Sequence, residues 1–136
     1  MSAWRTDGDG YRLEFDFQPP LLAVRVQGTA VPADVLALTR DYWTRIAQAV
    51  HQCGANQLLV LDELPVEVMG DADLLRFFDG VAGLGMQAVQ IAYVEGRADQ
   101  VARIEYVELL ALERGYRVRM FGNEPEARLW LRYGGA

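Results

Sequence analysis

The segment that most constrains the fold is the run LLVL at residues 58–61, which is apolar at every position. A strand with one face in water would alternate apolar and polar side chains. A short run that is apolar on both faces is instead typical of a central strand in a parallel sheet that helices cover. The sequence therefore predicts an α/β fold.

The segments on either side of this run alternate between strand and helix patterns. Residues 11–17 alternate strictly between apolar and polar side chains, which indicates an antiparallel or edge strand. We predict the order ββαβαβαβα, a mixed, mainly parallel sheet of five strands with four helices. The predicted strands cover residues 11–17, 22–27, 58–61, 88–94 and 117–121, and the predicted helices cover residues 32–53, 71–84, 98–114 and 124–132. We assign residues 1–10 to a flexible leader and residues 11–133 to a single domain.

The composition excludes several classes of protein. All 13 basic residues are arginine, so a Schiff-base lysine and the lysine of a phosphate-binding loop are both absent. Ser2 is the only serine, which excludes a serine hydrolase. The net charge of −6 argues against nucleic-acid binding, which needs a clustered cationic surface. A single cysteine, Cys53, and the lack of a long apolar run predict a cytoplasmic protein with no transmembrane segment.

The carboxyl ends of the predicted strands are the natural place for a site, because open α/β sheets bind ligands there. The polar side chains expected at that edge are Thr29, Asp62, Glu63, Glu95, Arg97 and Asn123. Carboxylates in such a set can hold Mg²⁺ or work as an acid–base pair. The set has no histidine and no metal-ligand spacing, and acidic residues are common in loops after strands. We therefore predict no catalytic residue, metal or cofactor, and keep a carboxylate-based enzyme as an alternative.

The helix predicted at residues 98–114 has apolar side chains on two arcs. One arc contains Val101, Ile104, Val107, Ala111 and Leu112, and the other contains Ala102, Tyr106, Leu109 and Leu110. Covering a sheet requires a single apolar stripe. The second arc is therefore explained by a second copy of the chain, by a ligand groove or by packing against neighbouring helices. These three explanations remain open.

The order of elements, with the ending of strand, FGNEPEA, helix and WL, resembles the STAS-like (SpoIIAA-like) superfamily. That superfamily contains anti-sigma-factor antagonists and sulfate-transporter domains. The chain is most similar to its small stand-alone bacterial branch, which is grouped with the CRAL-TRIO lipid-binding modules. The resemblance extends from about Tyr11 to Leu131 and implies parallel strands in sequence order. Right-handed crossovers would then place the helices on one face, so the other face would need a partner subunit or a lipid-like ligand.

One departure from the superfamily concerns its phosphorylation switch. The resemblance implies a phosphorylated serine or threonine after the third strand, but residues 61–75, LDELPVEVMGDADLL, contain neither. We therefore expect the switch to be missing. Asp71 and Asp73 lie near that position and either mimic a permanent negative charge or favour the start of a helix through its dipole.

These observations lead to two expectations about function. The first is a non-catalytic STAS-like binding or regulatory module that forms a homodimer. The alternative is a carrier or sensor of a small apolar, lipid-like ligand.

Overall fold

The computed structural model describes residues 2–134, which form one mixed six-stranded sheet and four α-helices. The strands are β1 (Ser2–Gly8), β2 (Tyr11–Gln18), β3 (Leu21–Gly28), β4 (Gln57–Asp62), β5 (Gln90–Glu95) and β6 (Arg117–Phe121). The helices are α1 (Val35–Cys53), α2 (Asp71–Val81), α3 (Val101–Glu113) and α4 (Glu124–Tyr133). Short 3₁₀ turns, Ala82–Leu84 and Ala98–Gln100, follow α2 and precede α3. The predicted α/β class and the four helices are confirmed.

The strands lie side by side in the order in which they occur in the chain. β1, β2 and β3 form an antiparallel meander, whereas β3 to β6 are parallel to one another. Parallel neighbours require a long crossover connection, which α1, α2 and α3 supply. Because such crossovers are right-handed and the strand order never reverses, these three helices lie on the same face of the sheet.

The predicted number of five strands is wrong, because β1 adds a sixth. It comes from the segment that the sequence pattern assigned to a flexible leader. Its residues pair with β2 from Ser2 opposite Phe17 to Gly8 opposite Tyr11. The ring of Trp4 stacks on Phe15, with 4.9 Å between the ring centroids. This tertiary contact explains why a short, polar segment becomes the edge strand.

Both faces of β4 are buried within this one chain. Leu58 and Val60 belong to the large core beneath α1, α2 and α3. Leu59 and Leu61 lie on the other face, in a smaller core with α4. Leu59 has no exposed surface and Leu61 is 8% exposed. The prediction that a partner or a lipid-like ligand must shield this face is therefore wrong, because α4 covers it.

Candidate functional site

An apolar cavity of about 120 Å³ lies between the sheet and the three helices α1, α2 and α3. Every one of these helices contributes large side chains to its wall, including Trp43, Leu74, Phe77, Phe78, Ile104 and Val107. The sheet contributes side chains from β4, β5 and β6. The cavity therefore lies inside the main core, where the three crossover helices do not fill all the space above the sheet.

One end of the cavity carries two buried carboxyl groups. Asp62 ends β4 and Glu95 ends β5, and the two residues are paired across these neighbouring strands. Asp62 is 8% exposed and Glu95 is 4% exposed, and both side chains line the cavity. The sequence prediction that these residues share the carboxyl edge of the sheet agrees with this placement.

Hydrogen bonds hold the Asp62 carboxylate in place. The hydroxyl of Tyr93 donates to its Oδ2, and the backbone N–H of Leu64 donates to its Oδ1 at 2.9 Å. Tyr93 lies two positions before Glu95 in β5, so its side chain points to the same face of the sheet. The carboxylate is therefore fixed by the strand beside it and by the loop that follows its own strand.

Glu95 is held less completely than Asp62. Its Oε1 accepts a hydrogen bond from the backbone N–H of Arg97 at 3.0 Å. Within residues 2–134, no group donates a hydrogen bond to its Oε2. Since Glu95 lines the cavity, this oxygen is the least satisfied acceptor at the polar end.

Burial controls the electrostatics of this end. It raises the pKa of Glu95 to about 7, and the nearby Asp62 charge contributes in the same direction. Burial also raises the pKa of Asp62, although the hydrogen bonds from Tyr93 and from the Leu64 backbone oppose that change. The pKa values of Tyr93 and Tyr42 lie well above the ordinary value for the same two reasons, burial first and then the Asp62 charge. Near neutral pH, Glu95 is therefore about half-protonated and the phenols of Tyr42 and Tyr93 are neutral.

Gly96 allows the two strand ends to approach closely. Its backbone N–H donates to the carbonyl oxygen of Asp62 at 3.1 Å. A Cβ atom at this position would lie 2.9 Å from that same oxygen, which is closer than such atoms pack. Glycine is therefore required for the geometry that places Glu95 beside Asp62.

A further polar group, the hydroxyl of Tyr116, lines the cavity. Tyr116 immediately precedes β6, so it lies toward the edge of the sheet opposite Glu95. Its hydroxyl oxygen is buried and has no hydrogen-bond partner in the part of the chain that the structure describes. A buried phenol normally finds a partner, so this hydroxyl is available to a molecule that enters the cavity.

The structure separates Glu63 and Thr29 from the two buried acids. The carboxylate of Glu63 pairs with Arg25 on the opposite face of the sheet. Thr29 is exposed, and its backbone N–H donates to the carbonyl oxygen of Gly10 at 3.0 Å.

Arg97 and Asn123 also have structural contacts away from the cavity. The guanidinium of Arg97 pairs with Asp99 at 3.1 Å. The side chain of Asn123 accepts a hydrogen bond from the backbone N–H of Glu126 at 3.0 Å and thereby caps the start of α4.

Asp71 and Asp73 both lie in the first turn of α2, where acidic side chains favour the helix. Asp71 pairs with Arg103 of α3, which ties the start of α2 to the third crossover helix. Asp73 pairs with Arg76 at 2.9 Å, one turn along its own helix. These contacts give both residues a structural role, and the phosphate mimic stays a prediction.

The predicted second arc of α3 divides into exposed and buried residues. Ala102 is exposed, Tyr106 is 38% exposed and Leu109 is 58% exposed. Leu110 is only 8% exposed and packs in the main core, so packing within the chain explains this residue of the arc. Leu112, which the pattern placed on the inner arc, is 48% exposed. The exposed apolar surface of α3 is therefore formed by Ala102, Tyr106, Leu109 and Leu112, which we call the α3 surface.

The sequence prediction missed the phenols of the site. Tyr93 interrupts an otherwise aliphatic buried strand, and a buried tyrosine needs a polar partner. Its position two residues before Glu95 was the signal that could have identified it. Tyr42 and Tyr116 offered no comparable signal, because their approach to the cavity depends on how the helices pack.

Comparisons with other proteins add no assignment. The sequence matches no protein-family model and no curated protein. Over residues 2–134, no three His, Cys, Asp or Glu side chains are grouped so that they could hold a metal ion. No helix in the same range is long and apolar enough to cross a membrane.

Proposed function

We propose that this protein binds a small apolar ligand in the cavity beneath α1, α2 and α3, as a carrier or a sensor. The observation that carries the proposal is an apolar cavity with Asp62, Glu95 and Tyr93 at one end and, toward the other, the Tyr116 hydroxyl, which has no hydrogen-bond partner within residues 2–134. An apolar pocket with a few placed polar groups is the usual form of a small-molecule site.

The size of the cavity limits the ligand. An engineered apolar cavity of about 150 Å³ in another protein binds benzene, whereas sites for drug-sized molecules measure about 300–1,000 Å³. At about 120 Å³, this cavity suits a molecule or an apolar group of about six carbon atoms.

Benzene is the simplest probe of the cavity because it has no polar head group. We expect saturable changes in the NMR signals of the side chains that line the cavity. Ala111→Leu fills part of the space and should abolish this response, since Ala111 lines the cavity and is 4% exposed. Ala102→Leu makes the same chemical change on the exposed side of the same helix and should leave the response intact. An equal response in both variants, or none in the parent protein, contradicts the proposal.

Catalysis by the buried acids is the alternative that the sequence left open. A carboxyl group with a pKa near the working pH is well suited to proton transfer, and Glu95 has that property. We place binding first because the wall of the cavity is mainly apolar. A saturable chemical conversion that Asp62→Asn abolishes would favour the enzyme.

A STAS-like regulatory module that forms a homodimer in the bacterial cytoplasm is the second proposal. The sequential strand order with three crossover helices on one face supports the resemblance, and the single Cys53 suits a reducing compartment. The α3 surface supports self-association, because Tyr106 and Leu109 are exposed apolar groups on one helix. Tyr106→Glu combined with Leu109→Glu should dissociate the dimer in sedimentation experiments without unfolding it. A monomeric parent protein, or a dimer that survives this change, contradicts the proposal.

A further inference from the structure

We propose that the ligand carries an amine whose ammonium group binds between the carboxylates of Asp62 and Glu95, an inference that rests on the proposed function of the cavity. The ligand class is thus a small apolar molecule with one cationic head. The two acids would recognise the head, and the apolar wall would hold the rest.

The charges around the cavity are of one sign. Asp62, Glu95 and Glu67 all line it, while the lining residues of the described chain include no arginine and no histidine. The nearest cationic side chain in the sequence, Arg97, does not line the cavity and pairs with Asp99, although its charge and its backbone N–H both lower the pKa of Glu95. Burying an anion without a cation beside it costs several kcal/mol. Because burial outweighs the favourable contacts of both acids, a cationic head in the cavity would offset part of that cost.

The acceptors are arranged for a group with several donors. Asp62 and Glu95 are opposite each other on adjacent strands, which lie about 4.8 Å apart. An ammonium group has three N–H donors and no acceptor. Glu95 Oε2 has no hydrogen bond within residues 2–134, and the Asp62 oxygens, each with one donor, have a further lone pair. One ammonium group can therefore bridge both carboxylates.

Other head groups fit this end less well. A carboxylate would add a further negative charge beside Asp62 and Glu95. An alcohol would donate one hydrogen bond and would leave the charges uncompensated. Among apolar ligands of the same size, the site therefore selects the amine.

The charge of Glu95 makes this selection depend on pH. The groups that face Glu95 are Asp62 from β4, Tyr93 from β5, Tyr42 from α1, and Arg97 and Asp99 from the segment after β5. With a pKa of about 7, Glu95 is mostly protonated at pH 6 and mostly ionised at pH 8. An alkyl ammonium with a pKa near that of lysine, about 10.4, is charged at both values. Binding of the amine should therefore strengthen about tenfold from pH 6 to pH 8.

The experiment compares three probes of matched size, 1-hexylamine, 1-hexanol and hexanoate, by isothermal titration calorimetry. We expect hexylamine to bind at least tenfold more tightly than hexanol at pH 8, with most of this preference lost at pH 6. Hexanoate should bind most weakly at pH 8. Glu95→Gln should abolish the preference for hexylamine and its pH dependence. Glu63→Gln removes a neighbouring carboxylate on the opposite face of the sheet and is the control that should keep both.

Each other outcome overturns one identifiable claim. Equal binding of hexanol and hexylamine, or tighter binding of hexanoate, overturns the amine inference and leaves the apolar cavity as a binding site. A preference for hexylamine that persists in Glu95→Gln also overturns it, because surface charge would then explain the binding. If neither benzene nor any of the three probes binds, both the amine inference and the proposed function are wrong.

Discussion

The buried carboxyl group of Glu95 should make the protein less stable as the pH rises, and Glu95→Gln should remove that effect. Glu95 has an ordinary pKa of 4.5 in the unfolded chain and a pKa of about 7 in the folded protein. Because the folded state holds the proton more tightly, protonation favours folding. The contribution to stability is complete below about pH 4.5 and is lost as the pH rises through about 7.

The two pKa values set the size of this effect. Each difference of one between folded and unfolded pKa values corresponds to about 1.4 kcal/mol, so the shift of Glu95 corresponds to about 3 kcal/mol at most. A glutamine at this position still buries a polar amide, which offsets part of the gain. We therefore expect Glu95→Gln to raise the free energy of unfolding by about 1–3 kcal/mol at pH 8 and to change it little at pH 4.5.

The assay is urea denaturation of the parent protein and the variant, followed by tryptophan fluorescence and far-ultraviolet circular dichroism from pH 4.5 to pH 8. Glu63→Gln is the matched control, because it removes an exposed carboxylate paired with Arg25. Such surface pairs contribute about 0–1 kcal/mol, so this control should differ little from the parent at either pH. If Glu95→Gln is no more stable than the parent at pH 8, Glu95 is solvated and the argument from burial fails.

Three further substitutions test the fold and the site by the same denaturation assay. Asn123→Ala should lower the free energy of unfolding by about 1 kcal/mol, because it removes the cap of α4, and an unchanged value would argue against that cap. Trp4→Ala should lower the free energy of unfolding by about 1–3 kcal/mol, less than for a fully buried tryptophan, because Trp4 is half-buried against Phe15. An unchanged free energy of unfolding would mean that β1 does not pair with β2 in solution. Gly96→Ala should lower the free energy of unfolding by about 1–3 kcal/mol and weaken hexylamine binding, because the added Cβ would press on the Asp62 carbonyl oxygen. A free energy of unfolding and a hexylamine affinity equal to those of the parent would show that the strand ends can separate without loss.

The sequence was sufficient for the features that depend on local periodicity. Alternation in β2 and the continuous apolar run of β4 identified a mixed sheet. The placement of Asp62 and Glu95 at one edge followed because each is the residue that ends a buried parallel strand. These inferences rely on side-chain direction within one element, which the backbone geometry determines.

The features that depend on contacts between elements were not predictable in the same way. β1 is mostly polar and has no regular apolar alternation, and it becomes a strand through its pairing with β2. In α3, Leu109 and Leu110 are adjacent in the sequence and their side chains point about 100° apart. Because apolar side chains occupy most of the circumference of this helix, periodicity could not identify its buried side. The face that α4 covers was also undetermined, because within residues 2–134 this helix does not connect two parallel strands and the crossover rule does not apply to it.

The stability and binding experiments both measure the electrostatic free energy of the ionised Glu95 carboxyl group. The first measures its cost in the free protein, and the second measures how far a bound cation offsets that cost. In the free protein, the ionised carboxyl group is buried beside Asp62 and lowers stability above pH 7. A bound ammonium group would favour that same ionised form, so the energy lost on burial would be recovered on binding. Glu95→Gln should therefore raise the stability of the free protein and weaken hexylamine binding in the same pH range. A Glu95→Gln variant that gains stability but keeps the preference for hexylamine would separate the two effects. Burial would then explain the pKa of Glu95, and the Glu95 carboxyl group would not contribute to the selection of the amine.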